Sequence, residues 1–123
     1  KIAYRRLYDF HVKKKSSLSI VLVKDFANTD AGNVAVDEDL RIMSFREKKP
    51  TLIQEENWVS SGIYLVNTIL FGSMMADREF MLEEDYFPTV VSEHRCFGFT
   101  EAEAFIDIGT PERLSDAYKY FAR

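Results

Sequence analysis

Apolar residues along this chain follow two rhythms. From Ile2 to about Lys14 they recur at helical spacing, with Ile2, Leu7, Phe10 and His11 mostly on one side. Leu18 to Val23 is instead a short, β-branched-rich run, which predicts a central strand. A polar loop follows from Asp25 to Asp30. Val34 and Val36 then alternate toward Asp37-Glu38-Asp39, and Ile42, Met43 and Phe45 resume beyond it, the pattern of a hairpin with an acidic turn. Ser60 to Val66 reads as another strand. Thr68 to Met75 reads as a short helix capped by Thr68, and Glu79 to Tyr86 as a second one ending before Pro88. Cys96 to Phe99 and Ala104 to Ile106 complete the strands. The order predicts a layered α/β fold with a mixed sheet, an isolated α+β domain being the alternative.

Composition narrows the class. The 123 residues fit one domain, 1–123, and 46% hydrophobic content suffices for a core. Aromatic residues at 14% argue against disorder. A net charge of −4 provides no basic field for a nucleic-acid backbone. The single cysteine, Cys96, cannot form an internal disulfide, which suits a reducing cytoplasm. No apolar run approaches the roughly 20 residues needed to cross a bilayer, so no membrane partner is expected.

The most informative segment is Phe105-Ile106-Asp107-Ile108-Gly109-Thr110-Pro111-Glu112. It reads as a buried strand that carries a carboxylate to its end, turns on glycine and starts a helix. Thr110 suits the N-cap, Pro111 the first turn and Glu112 the positive helix end. Leu114, Ala117, Tyr118 and Phe121 then repeat at helical spacing. Read locally, Asp107 could simply brace the turn through backbone N–H groups.

Three further segments precede it: Gly32-Asn33-Val34-Ala35-Val36, Phe45-Arg46-Glu47-Lys48-Lys49-Pro50 and Ser60-Ser61-Gly62-Ile63-Tyr64. In this order, with Asp107-Ile108-Gly109-Thr110-Pro111 last, they resemble the sugar-phosphate nucleotidyltransferase family. The flavour is that of its mannose- or heptose-1-phosphate guanylyltransferase-like branch. Leu82, Glu83, Asp85, Phe87 and Pro88 match a further stretch of the family pattern. The resemblance, from about Leu7 to the C-terminus, implies a layered Rossmann-like nucleotidyltransferase fold. It also implies transfer of a nucleoside monophosphate from a nucleoside triphosphate to a sugar 1-phosphate, with pyrophosphate released. The family's glycine-rich G-x-G-x-R-L loop and P-K element are absent here: the five glycines stand at 32, 62, 72, 98 and 109. The resemblance is therefore to a C-terminal half, the sugar side, expected not to catalyse alone.

Residue by residue, the resemblance implies that Asp107 helps fix a Mg²⁺ ion. It implies that Glu47 accepts hydrogen bonds from sugar hydroxyls and that Lys48 meets the sugar phosphate. Lysine suits that task as a compact charge able to follow phosphate, and Asp107 and Lys48 are the catalytic candidates. Taken alone, Arg46 to Lys49 could equally be a solvated charge run, and Lys49 interrupts the family's E-K-P spacing. Gly62, inside a strand, marks a bulge or a close backbone approach, or else tight packing against a helix. Gly32 is a similar substrate-binding candidate, although its turn-like setting favours a purely conformational role. Ser61 could donate to a hydroxyl or be an exposed strand serine, and Glu83 could orient the sugar site or brace its loop.

Other candidates carry less. His11 and His94 lie in no zinc-ligand spacing, and Cys96, within an apolar strand, reads as buried and inert. Two function classes follow. One is a sugar-1-phosphate nucleotidyltransferase, using GTP by branch flavour, of which this chain is an incomplete portion. The other is a non-catalytic sugar-phosphate-binding or assembly module. Half of a continuous sheet would leave an edge and an apolar face uncovered, so either a homo-oligomer or a marginally stable chain is expected.

Overall fold

A computed structural model describes residues 2–24, 33–46, 58–73, 79–102, 106 and 108–122. The chain alternates helices α1 (Tyr4–Lys13), α2 (Phe87–Glu93) and α3 (Pro111–Phe121) with five strands. These are β1 (Leu18–Lys24), β2 (Asn33–Val36), β3 (Ile42–Arg46), β4 (Trp58–Val66) and β5 (Cys96–Phe99). The sheet runs β3-β2-β4-β1-β5. It is mixed: β5 lies parallel to β1, and the other neighbours are antiparallel.

The continuous apolar run of β1 has a physical reason, because both faces are covered. Leu18, Ile20 and Leu22 point into a core shared with Phe45, Phe87, Val90 and Cys96. Val21 points the other way, against Leu7 of α1 and Phe99. Phe10 stacks edge-on against Phe97 and Phe99, at 6.5 and 5.5 Å between ring centres. Helices on both faces of a mixed sheet make the layered, Rossmann-like α/β architecture that the pattern foretells. Each fully buried Leu or Phe contributes about 1.5–3 kcal/mol to holding these layers together.

The inward face of α1 is as the spacing predicts. His11 lies on it, and its Nδ1 is hydrogen-bonded to the wholly buried Ser19 hydroxyl at 2.8 Å. Burial lowers the His11 pKa from its usual 6.5. The folded chain therefore holds the neutral ring, and protonation favours the unfolded chain. Stability from this site is intact above about pH 6.5 and falls as pH drops below that value toward the lowered folded pKa. Urea midpoints compared at pH 7.5 and 5 should show the loss in wild type and a smaller one in His11→Gln.

The acidic turn is real, and Asp37 organises it. Its Oδ1 accepts from the N–H groups of Asp39 and Arg41, both at 2.9 Å. The turn then reaches across to β5: Leu40 O accepts from Gly98 N–H at 2.8 Å, and Arg41 forms a bridge with Phe97. The outer edge of β5 is thus partly occupied rather than open.

Two expectations need correction. The segment after β4 is a 3₁₀ turn (Thr68–Ser73), and its cap is Asn67, whose Oδ1 accepts from Ile69 N–H at 3.1 Å. The next helix does not stop before Pro88. A π turn (Leu82–Tyr86) runs straight into α2, where Pro88 sits in the first turn and no intrahelical donor is needed. The apolar repeat of α3 buries only Ala117, while Leu114, Tyr118 and Phe121 are 39%, 71% and 73% exposed. The expected strand at 104–106 falls mostly outside the described residues, and Ile106 itself is not in a strand. No helix among the described residues is long and apolar enough to cross a membrane.

Candidate functional site

Thr110 caps α3 as its sequence requires, with its hydroxyl accepting from Arg113 N–H at 3.3 Å. The helix thereby starts directly after the segment that carries Asp107. Asp107, Glu47, Lys48 and Gly32 lie outside the described residues. Ser61, Gly62 and Glu83 are described, and the fold brings them to one stretch of β4 and the π turn beside it.

Strand β4 bulges where Gly62 sits. Between the pairs Ile20–Tyr64 and Leu22–Ser60, β1 advances two residues while β4 covers four, so β4 carries extra chain there. Gly62 adopts φ +76°, a conformation that glycine enters without the penalty of a side chain. A Cβ built on it meets nothing within 4 Å, so backbone conformation, and not close packing against a helix, requires the glycine. The open space beside it leaves room for something to approach the backbone.

Ser61 is not an exposed strand serine. Its hydroxyl oxygen is buried and has no hydrogen-bond partner among the described residues. An unpaired buried hydroxyl is uncommon in native structures and costs about 1–3 kcal/mol, unless water or a ligand satisfies it.

Glu83 braces the strand. Its Oε1 accepts from the Ser60 hydroxyl at 2.7 Å and also from the Tyr64 hydroxyl in a short hydrogen bond. Alternation along β4 puts Ser60 and Tyr64 on one face, so a single carboxylate oxygen reaches both. Burial, followed by the bond to Glu83, raises the Tyr64 pKa, which keeps the phenol protonated as a donor. The Tyr64 ring packs edge-on against Phe87 at 4.9 Å, and this fixes the start of α2 over the strand. Among the described residues, Glu83 Oε2 makes no hydrogen bond. Among those residues the carboxylate is held through one oxygen.

Sequence reasoning missed Ser60 and assigned no role to Tyr64. Their spacing on one strand face was legible, but their shared partner 23 and 19 residues away was not. Cys96 is inert, as expected: it is fully buried, and burial pushes its thiol up to about 11. Among the described residues no group of three His, Cys, Asp or Glu could hold a metal ion.

The family profile described as Nucleotidyl transferase matches residues 1–123. D-glycero-alpha-D-manno-heptose 1-phosphate guanylyltransferase of Aneurinibacillus thermoaerophilus is 25% identical over 115 residues, 94% of this chain and 48% of the relative. Mannose-1-phosphate guanylyltransferase of Mycobacterium tuberculosis is 28% identical over 109 residues, 87% of this chain and 30% of the relative. The crystal structure of HddC from Yersinia pseudotuberculosis superposes with a TM-score of 0.73 and 28% identity, over 98% of this chain and 50% of HddC. HddC complexed with GMP-PN superposes equally well, at 0.73 and 25% identity. The chain thus spans half or less of the length of these relatives.

Proposed function

The chain belongs to the nucleotidyl transferase family, and from that premise we propose that it is the sugar-binding portion of a sugar-1-phosphate nucleotidyltransferase. The observation that carries this reading is the β4 site. A carboxylate is clamped through one oxygen by two strand hydroxyls, beside a bulge with open space, and the strand residue following Ser60 carries a buried hydroxyl with no partner among the described residues. Polar groups fixed in this way suit a ligand rich in hydroxyls. The guanylyltransferase relatives point to GTP as the nucleotide and to a mannose- or heptose-like 1-phosphate as the acceptor.

In the complete reaction an oxygen of the sugar phosphate attacks the α-phosphorus of the nucleoside triphosphate. One P–O bond forms, the bond to the β-phosphate oxygen breaks, and pyrophosphate leaves. Glu83, Glu47 and Ser61 would orient sugar hydroxyls, and Lys48 would neutralise the acceptor phosphate. Asp107 would contribute one carboxylate toward Mg²⁺, which when bound neutralises phosphate charge. This sequence has no G-x-G phosphate loop. It should therefore bind the acceptor and not turn it over.

Titration with mannose 1-phosphate followed by NMR tests this. Binding around the millimolar range (about −4 kcal/mol) is expected, with no pyrophosphate released when GTP and Mg²⁺ are added. Lys48→Ala should weaken mannose 1-phosphate while leaving any affinity for free mannose unchanged, whereas Glu47→Gln should weaken both. Equal binding by all three proteins would return Arg46 to Lys49 to a solvated surface. Pyrophosphate release that vanishes in Asp107→Asn would show instead that this chain is a complete enzyme.

A further inference from the structure

Ser60 is 4% exposed, and its hydroxyl is used twice. It donates to Glu83 Oε1 at 2.7 Å and accepts from Gly62 N–H at 3.2 Å. The second bond explains how the bulge persists. Residues at a bulge fall out of the ladder, so the Gly62 N–H needs another acceptor, and the Ser60 hydroxyl provides it. The same oxygen therefore joins the left-handed backbone at Gly62 to the carboxylate carried by the π turn. Tyr64 holds that carboxylate too, but among the described residues its hydroxyl makes no hydrogen bond to Gly62 itself.

We propose that Ser60 is a positioning residue, its hydroxyl fixing the Gly62 bulge and the Glu83 carboxylate in one relation so that a hydroxyl-rich ligand meets them as a unit. The ligand in this statement rests on the sugar 1-phosphate reading, whereas the bridge itself is measurable without ligand. Loss of the hydroxyl removes both bonds together: Glu83 keeps a single donor and can swing about it, and Gly62 N–H loses its acceptor.

The test uses the whole chain, isotope-labelled, as wild type, Ser60→Ala, Ser60→Thr and Tyr64→Phe. In Ser60→Ala the Gly62 amide signal should move and its hydrogen exchange should quicken by about tenfold, the effect of one lost hydrogen bond. The Glu83 carboxyl carbon signal should move as well, and affinity for mannose 1-phosphate should fall by about as much. Ser60→Thr keeps a hydroxyl and should restore all three. Tyr64→Phe should move the Glu83 signal and leave the Gly62 amide in place, which separates the bridge from general loosening of the strand. An unchanged Gly62 amide in folded Ser60→Ala overturns the proposal. If Ser60→Ala does not fold, Ser60→Thr decides: protection of the Gly62 amide supports the bridge and its loss overturns it. Wild type that ignores mannose 1-phosphate, with both signals responding to Ser60→Ala, refutes the ligand reading and supports the bridge.

Discussion

Gly98→Val should destabilise the chain by roughly 3 kcal/mol, enough to unfold a large share of a marginal domain. Gly98 lies in β5, where all four residues are buried. A Cβ placed there would collide with Leu22 Cδ1 and come within 3.1 Å of Leu22 Cγ and 3.3 Å of Val36 Cγ1. Leu22 is wholly buried in the main core, so it has nowhere to retreat. Two effects oppose each other in the milder change, Gly98→Ala. Relief of glycine's backbone entropy would stabilise by about 0.5–1 kcal/mol, while overpacking costs about 1–3 kcal/mol. The clash wins, and Gly98→Ala should lose about 1–2 kcal/mol in urea unfolding. A second substitution, Leu22→Ala, identifies the cause: it should cost less in the Gly98→Ala background than in wild type, because the two residues compete for one volume. Gly98→Ala at wild-type stability would mean that β5 does not press on β1 as closely as described.

What the sequence makes legible here is local or periodic. The inward face of α1, the buried run Leu18 to Leu22 of β1, the acidic hairpin turn and the Thr110 cap each depend on residues a few positions apart, and each was readable. For Gly62 the sequence leaves a bulge or close backbone approach and tight packing against a helix both open, and its φ of +76° decides for the bulge. The errors come from competition between near neighbours or from partners far along the chain. The sequence reading takes Thr68 as the cap, whereas the structure uses its neighbour Asn67. Pro88 looked like a terminator, yet it fits the first turn of α2 because a π turn delivers the chain there already wound. The spacing of Leu114, Tyr118 and Phe121 specifies a helix, but periodicity does not say what covers its apolar side, and Tyr118 and Phe121 remain largely exposed, Leu114 partly. The same limit hid the Ser60–Glu83–Tyr64 clamp. Alternation assigns a strand face, whereas the acceptor that lies over that face depends on how the π turn docks.

That clamp sets up the second large effect, in Glu83→Ala. The substitution strips the acceptor from the buried Ser60 hydroxyl and from the half-buried Tyr64 phenol. Each orphaned hydroxyl costs about 1–3 kcal/mol, with Tyr64 toward the low end because water reaches it. The variant should lose roughly 2–4 kcal/mol of stability and all measurable affinity for mannose 1-phosphate. Glu83→Gln retains an oxygen acceptor, so it should remain folded with a loss near 1 kcal/mol while still binding the ligand less well. Tyr64→Phe combined with Glu83→Ala supplies the internal control. A phenylalanine ring at that position needs no acceptor, so the double variant should be more stable than the sum of the two single losses implies, by about 1 kcal/mol. Strict additivity across that cycle would show that the Tyr64–Glu83 bond contributes nothing, leaving Ser60 as the sole support of the carboxylate.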